Sequence, residues 1–234
     1  MSDRLNELAQ PIGFPIEGWQ RCPVPPRTAM DGRFCRLEPT DATLHADQLH
    51  STYTSAADGK DWTYLPYGPF DSQPEFTQWL QSVSESEDPL FHTVVDTTTA
   101  LAIGLASYLR IDPALGVIEV GHIHFSPLLQ RKPAATEAMF LMMQRVFDEL
   151  GYRRYEWKCD SLNAPSKRAA ARLGFQHEGT FRQATMYKGR NRDTDWFSIL
   201  DTEWPKLRSA YEQWLAPSNF DARGQQRSSL GSFT

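Results

Sequence analysis

Apolar residues recur at helical spacing in several stretches and alternate, or run together, in the stretches between them. Over 134–150, Met139, Met142, Met143, Val146, Phe147 and Leu150 follow the i, i+3, i+4, i+7 rule, and Gly151 stands where such a helix ends. Phe76, Trp79, Leu80 and Val83 do the same after Ser72-Gln73-Pro74-Glu75, a capping box with proline in the first turn. Asp41 is placed to cap a helix carrying Leu44, Gln48 and Leu49. A shorter helix is predicted over 165–173, stopped by Gly174, and a final one, capped by Asp201, carries Trp204, Leu207, Tyr211 and Leu215.

Strand patterns fill the gaps. Residues 34–38 read as a first strand, and 91–95, 102–111 and 116–125 as three in succession, turned by 96–99 and broken by Asp112-Pro113. Such a run predicts an antiparallel meander. Tyr155, Trp157 and Cys159 then alternate with Arg154, Glu156 and Lys158, the period of two expected of a strand with one covered face. The long helix between 116–125 and 152–159 predicts a right-handed crossover. Strand-like segments at 175–179, 182–187 and 195–200 complete a single mixed α/β domain over 31–215, without internal repeats.

The ends differ in character. Residues 1–30 carry Pro11, Pro15, Pro23, Pro25 and Pro26, which predicts an extended arm, packed along the domain through Phe14, Ile16 and Trp19. Residues 216–234, rich in Ser, Gly, Gln and Arg, are expected to be mobile.

Composition narrows the class. With 24 basic against 29 acidic residues the net charge is −5, which argues against a nucleic-acid or anionic-membrane footprint. No run approaches the roughly 18 apolar residues of a membrane span, and MSDRLNELAQ lacks a leader pattern, so a cytoplasmic location is expected. Cys22, Cys35 and Cys159 are odd in number and far apart, which predicts neither disulfides nor a metal knuckle.

The chemistry-bearing motifs lie between 119 and 178. They are Glu-Val-Gly-His-Ile-His-Phe-Ser-Pro (119–127), Gln130-Arg131-Lys132-Pro133-Ala134-Ala135-Thr136-Glu137-Ala138, Asn163-Ala164-Pro165-Ser166, and Leu173-Gly174-Phe175 followed by Glu178-Gly179. In this order they resemble the acyl-coenzyme A core of the GNAT (Gcn5-related) N-acetyltransferase superfamily. With the Trp62–Trp79 segment and the ending at 195–204, the resemblance covers most of 33–215 and extends to the branch that acetylates ribosomal-protein N-termini (RimJ/RimL-like). It implies a central, mostly antiparallel sheet flanked by helices, whose fourth and fifth strands, here 116–125 and 152–159, splay apart.

The resemblance also implies acetyl-CoA as cosubstrate and no metal. The diagnostic pattern Q/R-x-x-G-x-G/A falls on Gln130, Pro133 and Ala135, matching at the first and last positions only. Pro133 has no N–H and no access to positive φ, so anion binding at this helix start would lean on Arg131, Lys132, Ala134, Ala135 and Thr136. Asn163 and Ser166 match coenzyme contacts in the family, while their residue types equally fit helix capping. The backbone at Ile123, His124 and Phe125 would face the pantetheine arm and the thioester oxygen.

Transfer requires a neutral amine. Glu119, His122 and His124 are the candidate bases, with Glu119 slightly ahead by resemblance and His122 better matched in unperturbed pKa. Unbroken strand parity sets Glu119 with Gly121 and Ile123 on one face and His122 with His124 on the other; a bulge would change this. Trp62, Tyr64 and Tyr67 fall where the family holds an acceptor-side loop, although such aromatics also staple loops to a core. Asp58, Asp61 and Asp71 there fit a cationic acceptor or plain solvation. The family's usual tyrosine acid is not apparent, since Ala169, Ala170 and Ala171 precede Gly174.

The expected function is transfer of acetyl to a primary amine within a ternary complex. Candidate acceptors are a protein N-terminus, an amino acid, a polyamine or an amine-bearing toxin or antibiotic, with the enzyme a monomer or homodimer. The alternative is a non-catalytic acyl-CoA-binding sensor. An unrelated nucleotide-binding domain is disfavoured, because no Walker or dinucleotide glycine fingerprint occurs.

Overall fold

The computed structural model describes residues 4–56 and 58–233. A short hairpin, β1 (Arg4–Leu5) and β2 (Pro11–Ile12), stands apart from an eight-stranded sheet. In chain order the remaining elements are β3 (Met30–Asp31), β4 (Cys35–Pro39), α1 (Ala42–Thr54), α2 (Gln73–Ser84), β5 (Leu90–Asp96), β6 (Ala102–Asp112), β7 (Val117–Phe125), α3 (Pro133–Gln144), β8 (Arg154–Asp160), α4 (Ala164–Arg172), β9 (Gln176–Tyr187), β10 (Arg190–Leu200) and α5 (Trp204–Leu215). The sheet order is β3-β4-β5-β6-β7-β8-β10-β9, and every pair is antiparallel except β7 with β8. The predicted meander is β5-β6-β7, and the predicted crossover is β7-α3-β8.

Local chemistry sets the boundaries. Asp41 accepts from the N–H groups of Thr43 and Leu44 at 2.8 and 3.2 Å, and Ser72 accepts from Glu75 N at 3.4 Å. Asp201 does not cap α5. It sits in the preceding turn, where its carboxylate takes Thr202 N, and Glu203 occupies the cap position, its carboxylate turned back to Leu200 N rather than over the first turn of the helix. The segments read separately as 175–179 and 182–187 are one strand, β9, joined to β10 through Lys188 and Gly189. Both turn residues have positive φ, as a two-residue hairpin loop requires.

One sheet face packs on α3 and α5 through Ile118, Val120, Met139, Met142, Met143, Tyr155 and Trp157; the other packs on α1 and α2 through Leu49, Tyr53, Phe76, Leu80 and Leu105. Glu137 of α3 is buried, and its carboxylate accepts the N–H groups of Arg33, Phe34 and Cys35 at 2.6–2.8 Å, fixing the turn into β4. The three cysteines are free and buried.

Both chain ends depart from expectation. The arm docks from Trp19 onward: Trp19 Nε1 donates to Ala114 O, and Cys22 N to Pro113 O. Upstream, Phe14 is 74% and Leu8 78% exposed, so apolar residues there are not buried on this chain. Residues 1–3 of the arm, and Thr234, lie outside the described residues. The segment after α5, expected to be mobile, folds back on the core. Asn219 is buried and donates to Trp214 O at 2.9 Å, Trp214 Nε1 donates to Gln226, and Leu230 is buried. A few anchoring side chains outweigh the polar composition around them. No helix among the described residues is long and apolar enough to cross a membrane.

Candidate active site

β7 and β8 pair through Val117–Arg154, Ile118–Tyr155, Glu119–Glu156 and Val120–Trp157, and there the ladder stops. Beyond it, β7 continues to Phe125 bonded to β6 alone, while β8 continues to Asp160 bonded to β10 alone. A wedge opens between the two strands, with a row of backbone groups along 121–125 that has no strand partner on the β8 side. This is the parting expected of strands 116–125 and 152–159.

A bulge sits at the head of the wedge. Gly121 opposes Ser107 and His124 opposes Leu105, so β7 carries one residue more than β6, and His122 takes φ +50°. The extra residue resets the side-chain alternation. Ile118, Val120, Ile123 and Phe125 pack toward α3, whereas Glu119, His122 and His124 all face the α1–α2 side. The division of Glu119 from the two histidines, expected from unbroken parity, is therefore corrected: the three candidate bases share one face.

Their surroundings differ. Glu119 is 4% exposed, and its Oε2 is held by Lys158 Nζ at 2.8 Å and Arg110 Nη1 at 2.7 Å. Lys158 also pairs with Glu156 at 2.8 Å and lies 3.6 Å from the centre of the Trp196 ring. His122 is half-buried, with Nδ1 3.2 Å from Tyr67 Oη and its ring against Phe91. Burial, reinforced by the Arg110 and Arg192 charges, lowers its pKa to about 4, so the imidazole is neutral at pH 7. His124 is stacked on Tyr53 with ring centres 3.8 Å apart and meets the Trp62 edge; burial brings its pKa to about 3. The His124 ring is thus part of the aromatic core beneath α1.

The loop between α1 and α2 closes over this face. Trp62 is buried against Tyr53, Phe70 and His124, and Gly68, at φ +58°, lies so close to the indole that no Cβ fits. Tyr67 stands over His122, and Tyr64 Oη reaches across to Leu162 O at 3.1 Å, beyond the end of β8. Gln130 Nε2 bonds Phe125 O at 2.8 Å and Asp61 at 3.2 Å, tying the loop to the far end of β7. The β9–β10 tip supplies a third tie, with Lys188 Nζ on Trp62 O at 2.7 Å and Arg190 on Thr63 O at 2.8 Å. These two cations carried no signal in the sequence, because nothing there shows that the hairpin reaches residues 62–63.

At the same open end of the wedge, just after Gln130, lies the start of α3. Lys132 is its cap residue and places no side-chain acceptor over the first turn, leaving donors such as Ala134 N directed outward. Ala135 N is turned back to Lys132 O. The left-handed residue of the loop is Arg131, at φ +61°, so Pro133 withholds a donor but not a conformation. Thr136 is buried and its hydroxyl accepts from Arg172 at 3.0 Å. Asn163 caps α4 by accepting Ser166 N at 3.1 Å, and Ser166 Oγ accepts from Trp157 Nε1 at 3.0 Å.

Parted parallel strands, a bulge beside a histidine and an open helix start are grouped in one cleft, and the family comparison agrees with them. Residues 35–176 match the model of the acetyltransferase (GNAT) domain. The chain belongs to the GNAT acetyltransferase family. This GNAT chain is similar to the crystal structure of a GCN5-related N-acetyltransferase from Brucella melitensis, with 50% identity and a TM-score of 0.91 over 93% of this chain and 99% of that one. It is similar also to a probable GNAT-family acetyltransferase from Chromobacterium violaceum, at 43% identity and a TM-score of 0.77 over 84% of this chain and 98% of that one. Among curated proteins it is 28% identical over 149 residues to the uncharacterized N-acetyltransferase p20 of Bacillus licheniformis, covering 60% of this chain and 80% of that protein. It is an acyltransferase with the mixed α/β GNAT fold.

Proposed function

We propose that the protein transfers acetyl from acetyl-CoA directly to a primary amine, both bound at once. The observation that carries this reading is the end of β7–β8 pairing at Val120–Trp157, with His122 turned by its bulge into the same cleft. The pantetheine arm lies along the unpaired backbone of Ile123 and Phe125 as an added strand. Its pyrophosphate rests at the α3 start, against Arg131, Lys132 and the N–H of Ala134. A β7 backbone N–H near Ile123 receives the oxyanion.

The amine enters from the side of Tyr67 and Tyr64. His122, already neutral, takes its proton, directly or through water. Glu119 keeps its place as the carboxylate between Arg110 and Lys158 and fixes the field around His122. The acceptor is one of the classes named above, an N-terminus of a protein among them, and the enzyme works in the cytoplasm as a monomer or homodimer. Free thiol released from acetyl-CoA in the presence of an amine panel tests the reading; a rate independent of every amine would count against it.

A second reading is kept by two observations. Pro133 withholds a phosphate donor, and Glu119 is engaged by two cations. Both fit a sensor that binds acyl-CoA without turnover, which the same assay separates through tight binding without acceptor-dependent release.

A further inference from the structure

The β9–β10 tip concentrates positive charge on the acceptor side. Lys188, Arg190 and Arg192 come together there, with Arg190 and Arg192 at 5.3 and 5.9 Å from the centre of the Tyr187 ring. Among the described residues none of the three has a carboxylate at ion-pair distance. Their hydrogen-bond partners are neutral: Trp62 O for Lys188, Thr63 O for Arg190 and Thr194 Oγ1, at 3.1 Å, for Arg192.

The neighbouring acids are committed elsewhere. Asp160 accepts from Tyr187 Oη at 2.7 Å and Leu162 N at 2.9 Å, Asp193 from Gln183 N and Asn191, and Asp61 from Gln130, while Asp58 pairs with Lys60. Glu119 and Glu156 are matched by Arg110, Lys158 and Arg154. A cluster of like charges is unfavourable until an anion joins it. Its field is felt locally: the Lys188 pKa is lowered by burial and by Arg190, and Arg192 contributes to the lowering at His122.

We propose that the acceptor amine also bears an anionic group, a carboxylate or phosphate, which seats on Arg192 and Arg190 while the amine faces His122. This rests on the transfer reading above and selects among its acceptors. Polyamines are disfavoured by the same charges, and of the loop acids that matched a cationic acceptor, Asp58 is paired with Lys60 and Asp61 accepts from Gln130.

The test uses matched primary amines at low ionic strength: phenethylamine without a further charge, phenylalanine with a carboxylate, O-phosphotyramine with a phosphate, and a diamine. At least one of the two anionic amines is expected to exceed phenethylamine in kcat/KM by about tenfold or more, with the advantage shrinking as salt rises. The order of the two distinguishes carboxylate from phosphate. Arg192→Gln with Arg190→Gln should bring the ratio of anionic to uncharged amine close to one, and Arg192→Lys should retain most of it. Phenethylamine or the diamine winning would overturn the proposal. So would variants that weaken acetyl-CoA binding and leave the ratio intact, since the cluster would then serve the coenzyme. If no amine is turned over, the transfer reading fails by itself. The present proposal is then decided by calorimetry on the CoA-saturated protein, with N-acetylphenylalanine and N-acetyl-O-phosphotyramine against N-acetylphenethylamine: tighter binding of an anionic compound, lost in the double variant, supports it, and equal binding refutes it.

Discussion

Glu119 of β7 and Lys158 of β8 meet at 2.8 Å at the point where the two strands stop pairing, both nearly sealed from solvent. Each comes from the strand edge beside the wedge, so the pair acts as a rivet at its apex. Removing Lys158 leaves the buried Glu119 carboxylate with Arg110 alone and Glu156 with Arg154 alone, which costs more than a surface bridge is worth. Lys158→Met is expected to destabilise the protein by about 1–3 kcal/mol in urea unfolding. Adding Glu119→Gln should return about 1–3 kcal/mol relative to the sum of the single changes. Strict additivity would mean that the two groups are not coupled.

His122 has the placement expected of a proton acceptor, half-buried beside Tyr67 and neutral at pH 7. His122→Ala should lower kcat by about 10²–10⁴, the span typical of lost general-base assistance, while acetyl-CoA affinity from calorimetry stays within about threefold. His124→Ala should instead lower thermal stability first, because that ring fills the space between Tyr53 and Trp62. Equal kinetic and stability effects at the two positions would remove the distinction drawn between them.

That distinction marks where the sequence was legible. Periodicity located α2, α3 and the β5-β6-β7 meander, because amphipathic spacing and capping residues are local properties. The resemblance located the wedge. The facing of Glu119 against His122 was hidden, since one inserted residue inverts every later side chain on a strand and the bulge has no residue signature: His122, not glycine, takes the positive φ. The partners of Glu119 were equally hidden, because Arg110 and Lys158 become its neighbours only through strand register. The tail after α5 misled by composition, where one buried Asn219 and one buried Leu230 suffice to hold it.

Acid sensitivity follows from three histidines. Burial, the largest cause in each case, lowers His122 to about 4 and His92 and His124 to about 3. With an unfolded value near 6.5, the unfolded chain binds more protons between pH 6.5 and these folded values, so stability rises with pH across that window and is lost as pH falls through it. His122 alone contributes roughly 3 kcal/mol of loss by about pH 4. The urea midpoint should therefore drop steeply from pH 7 to pH 5, and His92→Leu should flatten the slope. An unchanged slope in that variant would show that His92 does not titrate with unfolding.

Pro133 offers the cleanest separation of coenzyme binding from fold. It occupies the first turn of α3, where a missing N–H costs the helix nothing but withholds a donor from any anion seated there. Pro133→Ala adds the donor with little new flexibility, and Pro133→Gly adds it together with chain entropy in the unfolded state. Both changes should lower stability, by about 0.4–1 kcal/mol or somewhat more for glycine. Against that loss, a hydrogen bond to a charged phosphate contributes about 1.5–3 kcal/mol, so acetyl-CoA should bind about tenfold tighter to both variants in calorimetry. Tightening in the glycine variant alone would point to a backbone conformation that proline and alanine both forbid. If neither variant tightens, the α3 start does not face the pyrophosphate, and the coenzyme must be anchored through Arg131 and Lys132 side chains instead.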